Sequence, residues 1–295
     1  MIKKLRNFIL LNLIFCVLSG ASFAKTAREI MEMVDANSRE RNESVFSLLK
    51  ISTCKYGIKD QKVKCSQAPT IKTIESVAIN TGPSGKDNQS IAFILEPPAE
   101  RGVGMLVYTY DEIGKDNETW LYLSALGKVK RIVSSNSDAD AEPVAIFGSE
   151  FTNEDQETGK LNDYDFKLLK ETNYKSSRVA IIEQTPKPNI AIKSRYSKSL
   201  LWVDLDKEIV VKAKMYDKRG TEIRRLLVGK IEKLNDIWLA RSTTILNLNA
   251  KRLSNMMLVS INFGMEINSD LLSKRSLTDK AFRKKHLDDI RSQTE

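Results

Sequence analysis

Three carboxylates, Glu150, Glu154 and Asp155, fall within the stretch Gly148-Ser149-Glu150-Phe151-Thr152-Asn153-Glu154-Asp155. Paired carboxylates can split a glycosidic bond, one as acid and one as base or nucleophile, or hold a hard cation. If this stretch is helical, Glu150 and Glu154 are four residues apart and share a face. Acids on a helix face are more commonly just solvated, so the spacing alone assigns no reaction. A second acidic group, Asp138, Asp140 and Glu142, lacks the glycine and the closing twelfth-position acid of a calcium loop. His286 is the only histidine and sits beside Lys284 and Lys285 in a charged tail, without the partners that histidine catalysis needs. Neither a GxSxG elbow nor a GxxxxGK[ST] phosphate loop occurs. The inventory therefore points away from an enzyme. No catalytic residue, metal or cofactor is expected, and a carboxylate-dependent hydrolase is the remotest reading.

The thiols belong to export chemistry. Lys3, Lys4 and Arg6 precede an apolar run over 8–18 broken only by Asn12, and Ser22-Phe23-Ala24 supplies the small residues of a cleavage site. This reads as a signal peptide over 1–24, cut before Lys25; the apolar run is short for a bilayer span. Cys16 would leave with the signal. Cys54 and Cys65 would remain, and an even pair in an oxidising compartment is expected to form a structural disulfide. Removing three signal charges from the net +9 of the 295-residue chain leaves +6. That charge is scattered among acids and gives no concentrated face for nucleic acid. The expected product is a mature, exported, non-spanning protein.

The remaining chain, 25–295, reads as one β-rich domain. Ile30, Met33 and Val34 recur at helical spacing after Thr26-Ala27-Arg28-Glu29, predicting a helix over 26–38. Strands are predicted over 45–50, 70–78, 90–96, 104–110, 119–124 and 128–133. They resume over 164–171, 178–185, 192–203, 208–217, 221–234, 237–247 and 256–262. Between the two sets, Val144, Phe147 and Phe151 give 144–158 a helical rhythm. A final helix is predicted over 277–290, with Thr278 as its cap. Short connections make this an antiparallel meander rather than alternating strands and helices.

Such a sheet, bent around helices, can enclose an apolar pocket. Met105, Val107, Tyr108, Trp120, Tyr122 and Phe147 are the candidate lining; for each, ordinary core packing is the competing reading.

Two longer motifs carry a resemblance. The order Ile30-Met31, Val34-Asp35, Phe93, Pro97, Gly102, then WLYLSALGKVKRI (120–132) and FGSEFTNED (147–155), resembles the outer-membrane lipoprotein-sorting (LolA-like) family. It is most similar to the larger branch associated with resistance-nodulation-division type transporters, whose corresponding motifs read YLPALGKVRRI and GSDFSYEDL. Ser124, Glu150, Thr152, Asn153 and Gln156 depart from that pattern, and the Cys54/Cys65 pair looks like a local addition. WVD (202–204), MYDKRG (215–220) and SLTDKAFRK (276–284) extend the likeness over most of the mature chain.

The resemblance implies a mainly β fold, an unclosed antiparallel β-barrel whose open concave side is covered by helices. Phe147 and Phe151 would pack inward from a covering helix, with the acids mainly outward. It also implies a periplasmic carrier of lipid or lipoprotein acyl chains, with a mobile lid and an inner-membrane transporter or outer-membrane acceptor as partner. An accessory protein of such a transporter is the alternative.

Overall fold

The computed structural model describes residues 25–41, 43–82, 85–112, 115–132, 145–156 and 160–294. The signal segment and the acidic group at 138–142 lie outside the described residues. The first helix, α1 (Ala27–Arg41), opens on a reciprocal cap. The Thr26 backbone N–H and hydroxyl donate to Glu29 Oε2 at 2.7 and 2.9 Å, and the Glu29 N–H donates back to Thr26 Oγ1 at 3.2 Å. This Thr-x-x-Glu box satisfies amide groups that the first helical turn leaves open.

Strands β1 (Ser44–Lys59), β2 (Lys62–Cys65), β3 (Thr70–Thr81), β4 (Asp87–Glu96), β5 (Gly104–Thr109), β6 (Glu118–Leu123) and β7 (Lys128–Ile132) form the first half. A crossing segment with one helical turn, α2 (Asn153–Gln156), leads to β8 (Tyr164–Tyr174), β9 (Ser177–Pro186), the turn α3 (Pro188–Ala191), β10 (Lys198–Asp204), β11 (Ile209–Tyr216) and β12 (Glu222–Val228). Next come β13 (Ile231–Leu234), β14 (Ile237–Ala240), β15 (Ser242–Asn247) and β16 (Arg252–Phe263), and finally helices α4 (Lys274–Thr278) and α5 (Lys280–Arg291). One 14-stranded sheet runs in the order β7-β6-β5-β4-β3-β1-β16-β15-β12-β11-β10-β9-β8, with β2 attached to β1. Neighbours are antiparallel, and β7 and β8 are its two unjoined edges, so the sheet is open as expected.

Side-chain alternation assigns the two faces. Over the second half, α1 buries Ile30, Met31 and Val34 against Ala180, Ile182, Leu201 and Val203. Over the first half it is the opposite, outer face that is covered: Phe46, Val77, Ile91, Phe93 and Leu106 pack with Leu271, Leu277, Leu287 and Ile290 of the C-terminal segment. Arg291 fixes α5 there by a two-pronged pair with buried Glu75, at 2.6 and 2.8 Å. The helices therefore divide between the two faces, and are not all gathered on the concave one.

Other departures have local causes. The segment 192–197 is not strand, because Pro188 opens a helical turn that is still closing at Ser194. The single strands read over 221–234 and 237–247 each break in two. Paired bonds Gly229 N–H to Ser242 O (2.8 Å) and Arg241 N–H to Lys230 O (2.7 Å) release β13 and β14 as a separate hairpin. There Ile231 and Trp238 pack on Val179, Ile209 and Val211. The C-terminal helix is split by Asp279, which caps α5 by accepting from the Phe282 N–H at 2.9 Å, the role expected of Thr278. Cys54 and Cys65 form the expected disulfide, with Cα atoms 5.7 Å apart.

Gly104 lies between Phe93 and Tyr122 in adjacent strands. A Cβ there would stand 2.6 Å from Phe93 Cε1 and 3.1 Å from Leu277 Cδ2. Phe93 has little room to retreat, since it is buried and the Arg283 guanidinium lies 4.4 Å from its ring centre. Gly104→Ala is expected to lower unfolding free energy by about 1–3 kcal/mol, as overpacking does. Urea denaturation with an unchanged midpoint would show instead that Phe93 and Leu277 shift freely.

Candidate functional site: a cavity floored by small side chains

Cross-strand rows show where space is left. On the outer face of the first half, one row reads Phe46, Val77, Ile91, Leu106, Trp120 from β1 to β6. On the inner face the flanking rows read Ser47, Ser76, Ala92, Met105 and Val45, Ala78, Ser90, Val107. Serine and alanine at these positions leave space on the inner face beside the cluster of Ile51, Ile74, Ile94, Met105 and Phe147. The result is part of a cavity of ≈ 660 Å³ between this floor, α1, the crossing segment and the inner face of the second half, where Leu201, Ala213, Met215 and Leu226 line it. Met31 and Val34 of α1 and Ile146 and Phe147 of the crossing segment add apolar wall. Asn37, Asn80, Asn88, Asn117, Lys86 and Lys160 supply polar groups to its lining.

The structure divides the expected lining residues. Met105, Val107 and Phe147 face the cavity. Tyr108, Trp120 and Tyr122 do not: they alternate to the outer face and pack under the C-terminal segment. The Tyr108 hydroxyl donates to Leu272 O at 2.5 Å, its ring meets Trp120 edge-on at 5.1 Å, and Lys274 Nζ lies 4.5 Å from the Trp120 ring centre. Phe151, fully buried, belongs to the core beneath α1. The small floor residues escaped the sequence reading because it sought large apolar side chains. Their signal was the alternation of Ser76 and Ala78 around Val77, and of Ser90 and Ala92 around Ile91.

The crossing segment is not the expected helix. Phe147 (φ 48°) and Gly148 (φ 71°) occupy left-handed backbone conformations, and the Ile146 N–H donates to Phe151 O at 2.8 Å, so the chain doubles back. Phe147 is held there by its carbonyl, which accepts from Lys72 Nζ at 2.8 Å; Lys72 also pairs with Glu100 at 2.6 Å. Glu150 and Glu154 consequently share no helix face.

Nor do the acids point outward. Arg224, buried on β12, donates to the Glu150 carbonyl and to Asp155 Oδ2, the latter at 2.7 Å. Glu150 Oε1 meets Arg252 Nε at 2.9 Å, while Oε2 accepts from Asn247 at 3.0 Å. The Glu150 N–H donates to Ser254 Oγ at 2.9 Å. Asp155 also accepts from the Thr152 hydroxyl at 2.7 Å and the Tyr196 hydroxyl at 2.5 Å. Glu154 accepts from Ser194 and faces Arg195 Nε at 3.4 Å. Each carboxylate is thus committed to a structural partner. Burial raises the Glu154 pKa against the opposing pull of Ser194 and Arg195. The Tyr196 phenol is likewise raised, by burial first and then by the Asp155 charge. This cluster anchors a cover; it presents no pair of free carboxylates to a substrate.

Two expected outcomes follow from the anchor. Arg224→Met leaves Asp155 and Glu150 without their shared cation and should cost about 3–5 kcal/mol, as does removing one partner of a buried ion pair. Denaturant unfolding measures it, and a loss below about 1 kcal/mol would contradict the anchoring role. For Glu154, a raised folded-state pKa means that the native chain binds more protons than the unfolded one just above the ordinary glutamate range. This group's contribution to stability therefore falls as pH rises through that window. Relative to wild type, Glu154→Gln should gain stability from pH about 4.5 upward, toward a plateau. A stability difference independent of pH would refute the shift.

Comparison with known proteins places this architecture. A family model described as "-like: Uncharacterized protein" matches residues 86–279, more than half of the chain. No curated protein matches the sequence. Among solved structures, a DUF1329 family protein from Desulfovibrio piger shares 21% identity with a TM-score of 0.72, over 86% of this chain and 100% of that one. An outer membrane lipoprotein-sorting protein domain from Vibrio parahaemolyticus shares 20% with a TM-score of 0.70, over 85% and 99%. A LolA superfamily protein from Nitrosomonas europaea shares 18% with a TM-score of 0.59, again over 85% and 99%. The open antiparallel sheet with its capping helices and these likenesses agree on a LolA/DUF1329-like fold, and by the match over 86–279 the chain belongs to the family described as "-like: Uncharacterized protein".

Proposed function

We propose that this protein is a periplasmic carrier that reversibly binds a lipid, or the acyl chains of a lipoprotein, in the inner-face cavity. The observation that carries the reading is the small-residue floor. Ser47, Ser76, Ala78, Ser90 and Ala92 floor one side of a cavity of ≈ 660 Å³ that larger side chains there would narrow. That volume falls within the range of about 300–1,000 Å³ typical of small-ligand pockets. Protein interiors are otherwise close-packed, so a void of this size between apolar walls suits an acyl occupant. Transfer of each methylene from water to such a site contributes about 0.8 kcal/mol. Met105, Val107 and Phe147 are the apolar contacts. The mechanism is binding and release, without a covalent step.

The lipoprotein-sorting description of the Vibrio parahaemolyticus structure favours acyl cargo. The signal segment supports export, and no helix among the described residues is long and apolar enough to cross a membrane. The carrier then shuttles cargo between the two membranes, with a resistance-nodulation-division type transporter or an outer-membrane acceptor at either end.

Native mass spectrometry of protein purified from the periplasm without detergent, followed by organic extraction, should reveal a bound lipid. Ala92→Phe fills the floor beside Met105 and should cut occupancy at least about ten-fold, with the fold retained by circular dichroism. A clean apo mass, repeated after phospholipid and acylated peptide are offered, would overturn the carrier and leave the transporter-accessory reading.

A further inference from the structure

The strand that floors the cavity does not end there. β1 continues past the sheet and pairs with β2 as a hairpin in the register Tyr56–Cys65, Gly57–Lys64, Ile58–Val63, Lys59–Lys62. Its two-residue turn, Asp60-Gln61, has both φ angles positive (53° and 60°), the geometry that matches strand twist. The Cys54–Cys65 bond closes its base. Every residue of β2 is exposed, and Ile58 and Val63 are 77% and 46% exposed.

Alternation makes the hairpin two-faced. Tyr56, Ile58 and Val63 share one face; Lys59, Lys62 and Lys64 share the other with Gly57. Lys55 adds a fourth lysine, against the single acid Asp60. Only Lys64 meets that acid, at 3.4 Å between exposed groups.

We propose that this hairpin docks the protein on the surface of a bilayer containing anionic phospholipid. Ile58 and Val63 enter the boundary between head groups and acyl chains, and the lysines meet phosphate. A covalently closed hairpin needs little ordering to do so. A protein partner is disfavoured by composition, since lysine is depleted from protein interfaces. At a bilayer, by contrast, lysine stems lie along apolar surface while their ammonium groups reach the head groups. Charge complementarity selects an anionic surface, since each lysine near such a membrane strengthens binding about five-fold. At about 3.3 Å per residue, Ile58 lies roughly 23 Å along β1 from Ile51 on the cavity wall, so docking holds the cavity close to the membrane. The proposal rests on the hairpin alone and does not require an occupied cavity.

Sedimentation with phosphatidylethanolamine vesicles, with and without phosphatidylglycerol, tests it. Wild-type protein should pellet with the phosphatidylglycerol vesicles and be released by high salt. Lys59→Gln/Lys62→Gln should weaken partition about twenty-five-fold, and Ile58→Ser/Val63→Ser at least about ten-fold. All these residues are exposed, so circular dichroism and the disulfide-intact mass should match wild type. Ala92→Phe should sediment like wild type, which separates failure of docking from failure of cavity binding. Wild-type protein that ignores both vesicle types, or an Ile58→Ser/Val63→Ser variant that binds undiminished, would overturn the proposal. Dependence on an added protein for sedimentation would overturn it in favour of a protein partner.

Discussion

Arg224 sits where the architecture most needs a fixed point. The sheet is open, so the chain must travel from one edge, β7, to the other, β8, across the inner face. The described part of that crossing has little regular structure to hold it. It is held instead at its centre by one buried guanidinium, which bonds the Glu150 backbone and the Asp155 side chain together. Burying such a group without partners would be costly. Its presence on β12 therefore determines where the crossing segment rests, and so where Phe147 and Phe151 enter the interior.

The cavity and the cover are two consequences of the same arrangement. Phe151 is pinned beneath α1 and completes the core of the second half. Phe147, four residues earlier, is turned by its left-handed backbone to the first half, where Lys72 holds its carbonyl. Phe147 there completes a small apolar cluster with Ile51, Ile74, Ile94 and Met105, and the cavity lies between this cluster and the core beneath α1, lined from both halves. Across the sheet, the C-terminal segment packs on the large outer-face row, so the first half takes its stability from outside. Small inner-face residues can then be tolerated without loss of the fold.

Much of this was legible in the sequence, for identifiable reasons. Strands alternate with period two, so most of the strands were recoverable from runs of β-branched and aromatic residues between turns. What covers each face was not legible, because the partner of Trp120 lies in the α4 region, some 150 residues away. The crossing segment misled because Val144, Phe147 and Phe151 have helical spacing, whereas the positive φ at Phe147 accompanies a distant contact, the Lys72 ammonium on its carbonyl. Outward acids were the sound local expectation; Arg224 and Arg252 reverse it from 74 and 102 positions away. The disulfide needed only two thiols and a compartment. The cavity was hidden because its evidence is absence of bulk, which only cross-strand register turns into a contiguous floor.

The anchor also constrains how a ligand would enter. A lid was expected over 144–158, but moving 150–155 means separating Arg224 from Asp155 and Glu150 from Arg252, and exposing Phe151 from the core. That is a large cost beside the weak contacts at the polar part of the lining. There Lys86 meets Asp111 at 3.7 Å between partly exposed groups, and the C-terminal turns of α1 approach the strands through Asn80 and Arg39. Exposed pairs of this kind contribute at most about 1 kcal/mol. The Arg224 anchor therefore makes the crossing segment a fixed wall of the cavity.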